Sequence, residues 1–118
     1  MRVPLSGHND EALAVKGTDI RELISGEDFD GEGVVFHCRG IIITNSHATE
    51  ISSVEIWDSD EDDGGTPSGQ IMTLLCPAQA TTVFDFPAPG ISFNINITAS
   101  LVNGTVAAIS AGALGYKE

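Results

Sequence analysis

ISFNINITASL, residues Ile91 to Leu101, alternates without a break. Ile91, Phe93, Ile95, Ile97, Ala99 and Leu101 fall on one parity. Ser92, Asn94, Asn96, Thr98 and Ser100 fall on the other. Successive strand residues point to opposite faces, so period two predicts one long strand with a buried face and a wet face. On a helix the same residues would scatter around the whole circumference. The chain is therefore read as a β protein.

The neighbouring text agrees. Asn103-Gly104 follows, then the apolar run Thr105 to Ile109. Asn-Gly between two such runs is a strong hairpin signal, because both residues accept positive φ. It predicts residues 91–101 and 105–109 as antiparallel neighbours. Upstream, Gly33 to Cys38 (GVVFHC) is a strand. Ile41 to Thr44 (IIIT) is either another or the same strand continued through a bulge at Gly40. Asn45-Ser46-His47 signals a turn. Ser53 to Trp57 alternates with Val54 and Ile56 inward. Gln70 to Cys76 is ended by Pro77, and Thr81 to Phe86 by Pro87 and Pro89.

These make seven or eight strands and no convincing helix. A single sheet of that size would leave an apolar face in water. The expected fold is all-β: two antiparallel sheets packed as a sandwich, jelly-roll-like.

Residues 1–32 read differently, with scattered acids and short apolar groups. Ala12 to Val15 suggests a short strand. Asp19 to Ile24 suggests one helical turn capped by Thr18 or Asp19. Two readings fit the segment: an irregular lead-in, or an arm that orders against a neighbour through Val3, Leu5, Leu13 and Val15. The expected organisation is an N-terminal arm over 1–32 and a sandwich domain over 33–118.

The 118 residues suit one domain, and they carry 17 acidic and 5 basic side chains, a formal net charge of −12. Such a surface repels phosphate backbones and anionic lipids, which argues against nucleic acid and membrane as partners. No apolar run approaches the ~20 residues that span a bilayer. MRVPLSGHNDEA lacks the plan of a signal peptide, so the expected site of synthesis is a cytoplasm, unless a leader was already removed.

Chemistry is sparse. Asp58, Asp60, Glu61, Asp62 and Asp63 form an acidic loop before Gly64-Gly65. Asp58, Asp60 and Asp62 have the spacing that opens an EF-hand loop. The pattern then fails, with Asp63 where the turn glycine belongs and Gly69 where the closing Glu belongs. A solvated hairpin tip explains the run equally well.

His8, His37 and His47 with Cys38 lack zinc-ligand spacing, and His37 and Cys38 face opposite sides of a strand. Cys38 and Cys76 read as buried thiols, with a disulfide as the alternative. There is no serine elbow, no phosphate-binding glycine loop and no His-x-His group of the cupin kind. No catalytic, cofactor or metal residue is assigned, and no enzyme is expected. Asn96-Ile97-Thr98 and Asn103-Gly104-Thr105 match the glycosylation pattern, which wet strand faces produce by chance. Trp57 reads as a rim residue of the core, or as a platform for a sugar ring.

From about Gly40 to Gly115 the chain resembles small virion proteins of tailed bacteriophages, of the decoration or cement type. The stretches behind the resemblance are ATEISSVEIWDSD, GQIMTLLCPAQATTVFDFPAP and GISFNINITASLVNGTVAAISAGALGY. The resemblance implies a jelly-roll or sandwich unit that forms homo-oligomers, trimers above all. It implies binding between capsomers to the major capsid protein, on the outside of a virion assembled in a bacterial cytoplasm. Ala107, Ala108, Ala111 and Ala113 suit close packing, between copies or within one core. A carbohydrate- or receptor-binding sandwich is the alternative, resting on Trp57 beside carboxylates and a polar loop, though a single Trp and a single Tyr (Tyr116) argue against it.

Overall fold

The computed structural model describes residues 2–9, 13, 21–24, 34–58 and 70–118. Nine strands lie among them: β1 (Val3–His8), β2 (Arg21–Ile24), β3 (Phe36–Asn45), β4 (Ser52–Trp57), β5 (Gln70–Cys76), β6 (Ala80–Asp85), β7 (Ile91–Phe93), β8 (Ile97–Asn103) and β9 (Ile109–Lys117). One sheet has the order β1-β9-β3-β6, with β7 also on β3. The other has the order β2-β8-β4-β5. Every pairing is antiparallel.

The pairings are nested. β4 pairs β5, β3 pairs β6, β2 pairs β8 and β1 pairs β9. The chain is thus one long hairpin centred on the β4–β5 connection and wrapped so that alternate rungs fall in opposite sheets. The inner faces meet in a core of Phe36, Ile41, Ile43, Val54, Ile56, Phe93, Ile97 and Leu101, all essentially without solvent contact. Each such side chain contributes about 1.5–3 kcal/mol by leaving water.

β3 is a single strand through a bulge between Cys38 and Gly40, so Phe36–Cys38 and Ile41–Thr44 are one element, while Gly33 lies outside the described residues. Val54 and Ile56 face inward as the alternation requires. β9 lines the core with Ala111, Ala113 and Gly115. Small residues there let the sheet lie close, and a Cβ at Gly115 would collide with the backbone oxygen of His37. The buried alanines therefore pack within one core rather than between copies.

Three expectations are corrected. The run Ile91–Leu101 is not one strand: β7 belongs to one sheet and β8 to the other, with a bend at Asn94–Ile95. The Asn103-Gly104 turn makes no hairpin. Only Gly104 takes positive φ there, and a short 3₁₀ turn, Val106–Ala108, carries the chain from β8 across to β9 in the opposite sheet. The Asp19–Ile24 stretch is not a helical turn over its described part. Arg21–Ile24 is a strand on β8, with Glu22 opposite Thr98. A lone helical turn gains one hydrogen bond for several fixed dihedrals, whereas a ladder beside a packed strand gains bonds and burial together.

β1 and β2 also show that residues before 33 supply a strand to each sheet instead of an irregular lead-in. Leu13 is fully buried in the core. The rest of Ala12–Val15 lies outside the described residues, as do Thr18 and Asp19.

Candidate functional site

The acidic run is represented by Asp58; Asp60, Glu61, Asp62 and Asp63 lie outside the described residues. Asp58 follows the last residue of β4, and its carboxylate accepts three backbone N–H bonds. Oδ2 accepts from Asn94 at 3.1 Å, and Oδ1 from Ile95 at 2.8 Å and Asn96 at 3.3 Å. Those three donors are the ones freed where the chain leaves β7's sheet. The carboxylate is a brace for the sheet switch, of the kind in which an anion satisfies orphaned amides.

Trp57 is buried, 3% exposed, and its Nε1 donates to Ser100 Oγ at 3.1 Å. Thr98 Oγ1 donates to the Trp57 carbonyl at 3.3 Å. Thr98 and Ser100, on the parity read as wet, are therefore fully buried on the face of their sheet that points away from the core. Trp57 is not a surface platform.

The histidines serve separate local structures. His47 Nδ1 accepts from the backbone N–H groups of Thr49 (3.2 Å) and Glu50 (3.0 Å). Asn45, 1% exposed, donates through Nδ2 to the carbonyls of Glu50 and Cys76 and accepts the His47 N–H. Together they hold the β3–β4 turn. His37 stacks on Tyr116 with ring centroids 4.9 Å apart, and the Arg2 guanidinium lies 4.8 Å from the centroid of the Tyr116 ring. His8 is exposed on β1. Among the described residues no three His, Cys, Asp or Glu side chains are grouped to hold a metal ion.

Cys38 and Cys76 are free and buried. The Cys38 thiol donates to the Gly40 carbonyl at 3.4 Å, and burial pushes its pKa up from 9.0 to about 11. The Cys76 thiol lies 3.4 Å from the carbonyls of Ile43 and Ala80. The Cys38 thiol is thereby a poor nucleophile, since the reactive species is the thiolate. Asn96 is 7% exposed with Nδ2 bonded to Glu22 Oε1, while Asn103 is exposed.

The surface is more distinctive than any cluster. Across residues 44–53, 73–83 and 100–114 the only Asp, Glu, Lys or Arg is Glu50. The fold gathers these segments at one end of the sandwich. Ser46 N–H donates to the Ala108 carbonyl, Gln79 N–H to the His47 carbonyl, and Thr105 Oγ1 to Glu50 Oε1. Three connections, β3–β4, β5–β6 and β8–β9, are thereby tied into one surface. Residues 10–20, which leave β1 toward β2, lie outside the description except for Leu13.

Two apolar clusters border this end. Ile51, Leu75 and Val102 are 56%, 60% and 45% exposed. They surround Ser53, which pairs with Leu75 on one side and with Asn103, beside a bulge at Val102, on the other. On the outer face of the other sheet, Ile42 lies opposite Val83 and opposite Gly112. Val83 is 54% and Leu114 41% exposed. There Ser6, His8, Ile42, Gly112 and Leu114 line a depression of about 230 Å3.

Ser6, Thr44, Thr81, Ser110 and Gly112 alternate with a few aliphatics, a pattern that no motif in the sequence singles out. The missing signal was the long interval without charge. No protein family matches the chain, and neither a curated protein nor a solved structure matches it.

Proposed function

We propose that the protein is a structural, non-enzymatic virion component: a jelly-roll subunit that decorates or cements the head of a tailed phage by binding its major capsid protein. The observation that carries this reading is the nested strand order, β1-β9-β3-β6 facing β2-β8-β4-β5. A single hairpin rolled into two sheets supports a jelly-roll reading, an architecture used by capsid and lectin domains.

The surface supports assembly. A chain of net charge −12 stays apart from its own copies in solution, so any stable contact must use a surface without acids. The end formed by residues 44–53, 73–83 and 100–114, where Glu50 is the one charge within those segments, and the two aliphatic clusters supply such surfaces. On this reading the subunit is made in the bacterial cytoplasm, forms a trimer, and seats on the outside of the shell without nucleic acid or membrane contact. The carbohydrate-binding alternative is not favoured: Trp57, the ring it rests on, is 3% exposed, and Tyr116 is 9% exposed.

The test is cosedimentation of the purified protein with expanded tailed-phage heads stripped of accessory proteins. Saturable binding that raises the temperature at which heads release their DNA supports the proposal. Absence of binding to every head, beside specific retention on a glycan array, would replace it with the alternative.

A further inference from the structure

We infer that Asn103 is a site of spontaneous covalent modification: its side-chain amide is lost to attack by the backbone nitrogen of Gly104, leaving an aspartate or an isoaspartate at position 103. The reaction needs no partner, so it is independent of the capsid reading.

Water is the only co-reactant. The Gly104 nitrogen attacks Asn103 Cγ. A C–N bond forms, the Cγ–Nδ2 bond breaks, and Nδ2 leaves as ammonia with the proton that the Gly104 nitrogen gives up. The chain then carries a cyclic imide. Water opens that ring at either carbonyl. Opening at Cγ restores the main chain and leaves an aspartate side chain. Opening at the main-chain carbonyl routes the backbone through Cβ and Cγ as isoaspartate, longer by a methylene.

Sequence and structure together select this residue among the five asparagines. A branched side chain on the following residue shields the attacking nitrogen, and glycine has no side chain at all. Asn94 and Asn96 precede Ile95 and Ile97. Asn45 precedes Ser46, but it is 1% exposed and its amide is held at both ends. Its Nδ2 donates to the carbonyls of Glu50 and Cys76, and its Oδ1 accepts the His47 N–H. Asn9 precedes Asp10, and its Oδ1 accepts the Ala111 N–H at 2.8 Å. Asn103 alone precedes a glycine.

The setting leaves its amide room to turn. Asn103 is exposed at the last residue of β8. The register with β4 passes over Val102 just before it, from Leu101 opposite Val54 to Asn103 opposite Ser53. Gly104, at φ +130°, lies past that ladder.

The product changes the surface that carries it. Across residues 44–53, 73–83 and 100–114 the one charged side chain is Glu50, and its Oε1 accepts from Thr105 on the same connection as Asn103. Conversion adds a second carboxylate to this end of the sandwich. A like charge facing a like-charged partner is costly at an interface. Age therefore alters the charge of the one end that is nearly free of it.

The experiment holds the folded, purified chain for several weeks at mildly alkaline pH, beside a sample in denaturing urea. Intact mass, anion-exchange elution and peptide maps are read over time. The folded sample is expected to gain about one dalton per chain. It should move from a net charge of −12 to later elution, with aspartate and isoaspartate both mapped to position 103 and ammonia released in equal amount. Asn103→Gln keeps an amide but closes a larger and slower ring, so it is expected to hold its mass over the same period, with circular dichroism confirming its fold. A folded wild type that shows no change at position 103 overturns the inference. So does a first gain that maps to another asparagine, a gain at 103 in urea alone, or an Asn103→Gln chain that ages as fast as wild type.

Discussion

β3 and the run from Ile91 to Leu101 are of similar length, and each is interrupted once. They end differently. β3 takes an extra residue at Arg39 and stays in its sheet. There the Phe86 N–H donates to the Arg39 carbonyl at 3.0 Å, and Arg39 Nε donates to the Phe86 carbonyl at 2.9 Å. The strand remains attached to the continuation of β6 through the bulge. At Asn94–Asn96 the backbone donors turn instead to the Asp58 carboxylate, and the chain changes sheets. Periodicity is the same on both sides of each irregularity. The partner waiting for the freed N–H groups decides whether a strand bends or leaves.

The largest test of that contrast sets Ile97 against Ile95, two residues with the same place in the alternation. Ile97 is fully buried in the second sheet. Ile97→Ala is expected to cost about 2–5 kcal/mol in urea unfolding, by lost transfer energy and a residual cavity. A cost near zero would mean that β8 is not docked on the core.

Within β3, Cys38 reports burial through pH. Its thiol is neutral in the fold up to about pH 11 and ionises near 9.0 when exposed. The raised folded value makes its stability contribution whole below pH 9, lost as pH climbs toward 11. The loss there is about 2–3 kcal/mol by proton linkage. Cys38→Ser or Cys38→Ala, compared with wild type across pH 8–11, should flatten that part of the profile. A profile identical to wild type would place the thiol in contact with water.

Asp58→Ala removes the acceptor of three amides and is expected to cost roughly 2 kcal/mol, with faster hydrogen exchange confined to Asn94–Asn96. Unchanged exchange would break the claim that the carboxylate holds the switch. On the β3 side, Arg39→Ala deletes one side-chain bond while the backbone pairing with Phe86 persists, so about 1 kcal/mol is expected. The smallest effect belongs to Ile95→Ala. At 47% exposure it should stay within roughly 0.5 kcal/mol, although its parity marks it as core.

Much of the fold was legible in local pattern. The bulge in β3, the inward Val54 and Ile56, and the proline stop after Cys76 follow from alternation and from backbone groups that proline lacks. Two things were not legible. The Asn103-Gly104 dipeptide advertises positive φ, which serves a crossing between sheets as well as a hairpin. The bracing of Asn94–Asn96 depends on a carboxylate at position 58, which no local window contains.

β9 was legible only as small residues. Ala111, Ala113 and Gly115 look featureless until Phe36 and Ile41 are set against them. For the candidate surfaces, single exposed aliphatics say little in sequence. Ile51, Leu75 and Val102 become one cluster only through the registers of β4 with β5 and β8.

The nesting of the pairs also governs the order in which this molecule can assemble. β1, at Val3–His8, finds its ladder only on Ile109–Lys117. β9 is also the main partner of β3, over Phe36 to Asn45. During synthesis the β4–β5 hairpin can close early, but β1 and one flank of β3 wait as unpaired edges until nearly all of these residues have emerged. Contacts so distant in sequence make for slow folding. In that interval the nascent chain offers two unsatisfied strand edges, where its acidic charge keeps neighbouring nascent copies from pairing with them.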